Sequence, residues 1–165
     1  MQTEGTVLIG LSKCAHNPLD YCIKVLTHGT VGHALFVRSN GRIIENFYPH
    51  VHERDWMAGE REKTELYRIE GLTTADVARL ERWFDSELKN PDPYSIRDLF
   101  RFALNKPPLK GRGCFCSQWV MRGLRSSLDV SKWPIVRLEW PDFASPRDLR
   151  ISPRLIPIQP TQTPA

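Results

Sequence analysis

The chain has 165 residues, 41% of them hydrophobic and 25% charged, with a formal net charge of +4 and a pI near 9.0. That is enough apolar material for one domain with a core, expected over residues 1–158, and too little for two. No run reaches the ~18 apolar residues of a transmembrane helix, and the basic residues are scattered apart from Lys106, Lys110 and Arg112, so an anionic partner is permitted but no nucleic-acid partner is expected.

The N-terminus carries Glu4 and no basic run. It does not read as a signal peptide, and the expected location is the cytoplasm unless lysis or a dedicated secretion machine releases the protein. Free thiols are then the default for the four cysteines. Thr6 to Leu11 is apolar enough for a buried strand, and a helical or irregular stretch is expected from Asn17 to Leu26. "GHALFVRSNGRIIENFYPH" follows as a hairpin, two β-prone runs around Asn40-Gly41. Thr64 to Ile69 is a further strand.

Thr73 and Asp76 have capping-box spacing, and Val77, Leu80, Phe84 and Leu88 form the stripe of a helix behind them. A second helix is predicted from Ser95, with Ile96, Leu99, Phe100 and Ala103 inward. "NKPPLKGRG" is a loop. A third helix starts at the cysteines and carries Trp119, Val120 and Leu124. "WPIVRLEW" reads as a late strand, and residues 159–165 as a disordered tail. The order is that of an α+β fold, an antiparallel sheet packed against helices.

Cys114 and Cys116 stand one residue apart in "GRGCFCSQWV". The spacing is not that of a dithiol redox pair. A zinc site would have to join them to Cys14, His16 and Cys22, at spacings unlike those of a finger, and both could instead be core residues. As a nucleophile Cys116 is the better placed. It falls in the first turn of the third helix, where unpaired N–H groups favour a thiolate and offer a donor to an oxyanion. Cys114 falls in the loop before it.

A cysteine nucleophile needs a base oriented by a third group. Of the five histidines, His33 opens a β-run between small residues. His28 sits in a turn-like stretch, and His16, His50 and His52 lie among loop-like residues. Glu45 is a carboxylate within the β-run "RIIENF". A two-residue Asn-Gly turn would put it on the face opposite His33. A three-residue turn over Ser39, Asn40 and Gly41, with Gly41 left-handed, would make the two diagonal neighbours on one face. Both turns are permitted. The second is preferred because it builds a site.

With "GHALFV", "IIENF" and "FCSQWV" in this order, the chain resembles the circularly permuted papain-like enzymes related to the NlpC-type peptidases, especially the YiiX-like branch. There the histidine comes first in a pattern like "sHvgi", a polar partner follows in "viEa", and the cysteine comes last in "CSElv". "GTVLIG" resembles the first strand of the family and "SPRDLRISPRLIPI" its C-terminal element. The likeness spans about residues 5–158. Ala34 and Leu35 replace the commoner valine-glycine pair, Gln118 the usual glutamate, and Trp119 a smaller aliphatic.

The resemblance implies a permuted papain-like fold and a thiol hydrolase, an amidase or peptidase with Cys116, His33 and Glu45 as its catalytic residues, no cofactor, and peptidoglycan peptides as a candidate substrate. A cysteine acyltransferase or lipid thioesterase is the first rival. It would require an acyl groove and a membrane-facing patch around Phe100, Phe102 and Trp119, which are expected to pack in the core instead. An inactive binding module is the second, favoured by a buried Cys116 or by a His33 that points away from it. Tyr94, beside Pro93, is a candidate second oxyanion donor.

Overall fold

The computed structural model describes residues 5–13, 21, 24–25, 30–104, 106–107, 109, 113–134 and 144–158. Cys14, His16, Cys22 and His28, most of the stretch from Asn17 to Leu26, residues 135–140 of the late strand, and the tail lie outside them.

Six strands form one antiparallel sheet: β1 (Leu8–Ser12), β2 (His33–Val37), β3 (Ile43–Phe47), β4 (His50–Arg54), β5 (Thr64–Ile69) and β6 (Leu155–Ile158), in the order β4-β3-β2-β1-β5-β6. The α-helices that lie wholly among the described residues are α1 (Thr74–Lys89), α2 (Ile96–Ala103), α3 (Cys116–Ser127) and the short α4 (Pro146–Arg150). An α+β fold with an antiparallel sheet is therefore what the chain adopts. Among the described residues, no helix is long and apolar enough to cross a membrane.

Local chemistry accounts for the starts of α1 and α2. Thr73 caps α1 in a capping box with Asp76, and Ser95 caps α2 by accepting the Asp98 N–H. The β2–β3 hairpin takes the three-residue turn. Arg38 N–H donates to Arg42 O at 2.8 Å, Gly41 N–H donates to Arg38 O at 2.9 Å, and Phe36 pairs with Ile44. Gly41 has φ +84°, a conformation that a side chain disfavours.

Alternation along the strands makes two buried faces. Ile9, Leu11, Ala34, Phe36 and Ile44 face Leu80 and Phe84 of α1 and Trp119, Val120 and Leu124 of α3. Leu8, Leu35, Val37 and Ile43 cover the other face with Trp56, Leu66 and Ile158. Burial of each large apolar side chain stabilises by about 1.5–3 kcal/mol. Trp119 is wholly buried against Phe36 and Trp83, and its indole N–H donates to Glu87 at 2.9 Å. The expectation that it packs in the core holds. At Gly123 the two long helices come so close that a Cβ would lie 2.4 Å from the Trp83 ring.

Four expectations need correction. β4, β6 and α4 were not predicted, because each has five residues or fewer and carries charged residues or a proline among its apolar ones. His50 and His52 lie on β4 rather than in a loop. Trp133 and Pro134, the described start of the expected late strand, are not in a strand. Phe100 does not face inward: it is 66% exposed, while Leu99 on the same helix is buried.

Candidate active site

α3 begins at Cys116. Its N-cap is Phe115, which has no polar side chain to accept an N–H, and its first turn holds no acidic residue. A carbonyl oxygen placed there would meet helix N–H groups rather than a carboxylate. The approach to α3 is stitched to the sheet. Asp92 O accepts from Val51 N–H at 3.3 Å, Tyr94 N–H donates to Pro49 O at 2.9 Å, and Cys114 O accepts from Ser95 N–H at 3.0 Å. The Asn46 amide also donates to Cys114 O, at 3.0 Å. These bonds hold the first residue of α3 at the end of the sheet where β2 starts.

His33 is that first residue of β2, 1% exposed, and its ring meets the Phe47 ring edge-on at 5.7 Å. Its Nε2 lies 2.6 Å from Glu45 Oε2. Cys116 acts on the same ring, through its charge and a hydrogen bond. Burial alone would depress the His33 pKa. The charge of Cys116, a hydrogen bond to it, and the hydrogen bond and charge of Glu45 together outweigh burial and raise it well above the usual imidazole value. The three residues singled out from the sequence therefore stand together, with the imidazole between thiol and carboxylate.

Glu45 sits in the middle of β3, 1% exposed. Burial would raise its pKa. Hydrogen bonds from His33 and His52 and the charges of His33 and Arg54 hold it far below the usual carboxylate range. Arg54 Nε donates to Glu45 Oε1 at 2.5 Å, and His52 Nε2 lies 3.5 Å from the same oxygen. Arg54 also grips Glu60, through two bonds of 2.7 Å.

Cys114 is buried, and desolvation pushes its thiol up to about 12, against the opposing charge of Arg122 and the Asn46 hydrogen bond. A thiol so held is a poor nucleophile at neutral pH. Cys116 is buried as well and clusters with Tyr94, Leu99 and Phe115, with Ile96 and Phe102 beside them. Tyr94 thus packs next to the thiol.

His52, Arg54, Glu60 and Asn46 escaped the reading of the sequence. β4 pairs with β3 so that His52 stands opposite Glu45 and Arg54 opposite Ile43, which puts both side chains on the Glu45 face. The alternation of polar residues in "HVHER" was the available signal. Among the described residues, no group of three or more His, Cys, Asp or Glu side chains is placed to hold a metal ion. No family model matches the chain, and no curated protein matches it either.

Proposed function

We propose that the protein is a cysteine amidase or peptidase of the circularly permuted papain-like kind, acting through an acyl-enzyme on Cys116, with cell-wall peptides as its first candidate substrates. The observation that carries this reading is the contact between a thiol at a helix start and an imidazole whose far nitrogen is held by a buried carboxylate. The order histidine, glutamate, cysteine along β2, β3 and α3 supports the permuted arrangement.

In the reaction, Cys116 Sγ attacks an amide carbonyl carbon and His33 carries the thiol proton on Nδ1. Negative charge develops on the carbonyl oxygen and is met by the Cys116 N–H at the start of α3, with Tyr94 as the candidate second donor. Glu45 keeps the ring aligned through Nε2 and stabilises its cationic form. The imidazolium proton passes to the leaving nitrogen as the C–N bond breaks, which leaves a thioester. His33 then takes a proton from water, the hydroxide oxygen bonds to the thioester carbon, and the carboxylic acid and free thiol are released. No cofactor enters these steps.

Cys116 and His33 are both buried, so a substrate reaches Sγ only if the residues over the pair move aside. That burial favours a second reading, a binding module that keeps the fold without turnover. An acyltransferase or thioesterase draws support from the exposed Phe100 on α2 and Leu104 just after it, next to residues that pack on Cys116. A panel of peptide amides, cell-wall peptides and acyl thioesters separates the three. Amide cleavage lost in Cys116→Ala supports the first reading, thioester turnover alone supports the acyl reading, and a Cys116 inert to both substrates and electrophiles supports the binding module.

A further inference from the structure

The charged chain does not stop at Glu45. Arg54 spends the fork of its guanidinium on Glu60, Nη1 donating to Oε2 and Nη2 to Oε1 at 2.7 Å each. Nη1 also donates to Asp55 O at 3.1 Å, and Nε donates to Glu45 Oε1 at 2.5 Å. The Glu60 side chain is 1% exposed and also accepts the Met57 N–H at 3.0 Å. Its backbone is fixed in a turn, with Glu60 O accepting from Lys63 N–H at 3.0 Å and from Thr64 Oγ1 at 2.9 Å. Burying this much charge is a poor way to gain stability, since well-packed apolar residues do as well or better. The geometry points to another use. A guanidinium facing a lone carboxylate tends to take both its oxygens, and at Glu45 that would pull Oε2 away from His33.

We propose that Arg54 and Glu60 are a positioning pair for the site: Glu60 occupies the guanidinium fork, Arg54 gives Glu45 one hydrogen bond on Oε1, and Oε2 is thereby kept on His33 Nε2. The result is an alternation of charge from Cys116 through His33, Glu45 and Arg54 to Glu60. Among the described residues, the charged and titratable groups paired with Glu45 are His33 from β2 and His52 and Arg54 from β4. Cys116 of α3 also acts on His33, through its charge and a hydrogen bond. The inference rests on the reading of Cys116 and His33 as a reactive pair.

The test is Glu60→Gln, which gives the fork one acceptor in place of two and releases Arg54 toward Glu45. The His33 ring is followed by NMR titration in the intact protein, and alkylation of Cys116 by iodoacetamide is followed against pH. The His33 titration should move down by about one unit. Alkylation of Cys116 at pH 7 should slow about tenfold, because less of the imidazolium that partners the thiolate survives at that pH. A merely structural role would lower the melting temperature and leave both readouts in place. A folded Glu60→Gln protein with the parent titration and the parent rate overturns the proposal. The double variant Arg54→Met, Glu60→Met leaves neither partner as an unpaired charge and serves if the single variant does not fold. Its alkylation should also slow about tenfold, from lost alignment of Glu45, and an unchanged rate would overturn the pairing. If the parent cleaves no amide while His33 still responds to Glu60→Gln, the hydrolase reading fails and the positioning pair stands.

Discussion

Replacing Glu45 by glutamine removes the negative charge from the centre of the site at almost no change in volume. In the parent, Glu45 Oε2 lies 2.6 Å from His33 Nε2, and Oε1 accepts from Arg54 at 2.5 Å. An amide has one acceptor oxygen, so it can satisfy Arg54 or His33 but not both. Its NH2 group then meets a donor. A hydrogen bond to a charged group is worth about 1.5–3 kcal/mol. If that energy is realised in aligning and stabilising the imidazolium, kcat/KM should drop roughly 10- to 150-fold. The His33 pKa should fall as well, since both the hydrogen bond and the charge of Glu45 raise it. The alkaline limb of the kcat/KM profile should therefore shift to lower pH. NMR titration of the His33 ring and the rate of Cys116 alkylation at pH 7, with circular dichroism to verify the fold, measure the loss without a known substrate. A folded Glu45→Gln protein with the parent His33 titration and the parent alkylation rate would refute the role given to the carboxylate.

Three further outcomes are expected. A mild electrophile at neutral pH should modify Cys116 before Cys114, whose thiol burial pushes up to about 12, and peptide mass spectrometry locates the adduct; preferential labelling of Cys114 would reverse the assignment. Stability should depend on His33 with a definite sign. Its folded pKa is raised, so its contribution is full below the unfolded value of about 6.5 and is lost as pH rises through the folded value. The stability advantage of the parent over His33→Gln in urea melts should shrink between pH 6 and pH 9, and a constant gap would count against the shift. Gly123→Val should destabilise by about 2 kcal/mol or more, because its Cβ would fall 2.4 Å from the Trp83 ring; chemical denaturation with parent-like stability would show that the helices can part there at little cost.

How far the site was legible in the sequence depended on range. The Thr73–Asp76 and Ser95–Asp98 caps are local, and they appear where the spacing put them. The hairpin was half legible. Asn40-Gly41 marked the turn, but the residue types allowed two registers, and the three-residue turn was chosen because it brings His33 and Glu45 together. The surroundings of Glu45 were not legible, because they depend on β4 folding back so that His52 and Arg54 share its face, and on a turn that delivers Glu60. The alternation in "HVHER" marks a strand but not the strand it pairs with. Phe100 was misplaced for a related reason: an eight-residue helix with apolar residues on more than one side does not by itself say which side is covered.

Trapping the acyl-enzyme bears on the central claim most directly. Purified protein is mixed with a panel of peptide amides and cell-wall peptides, quenched in acid during turnover, and analysed by intact-protein and peptide mass spectrometry. The expected result is amide cleavage with a mass increase equal to the acyl group on Cys116, both absent in Cys116→Ala and both strongly reduced in His33→Ala. Amide cleavage that continues undiminished in Cys116→Ala would contradict the mechanism outright.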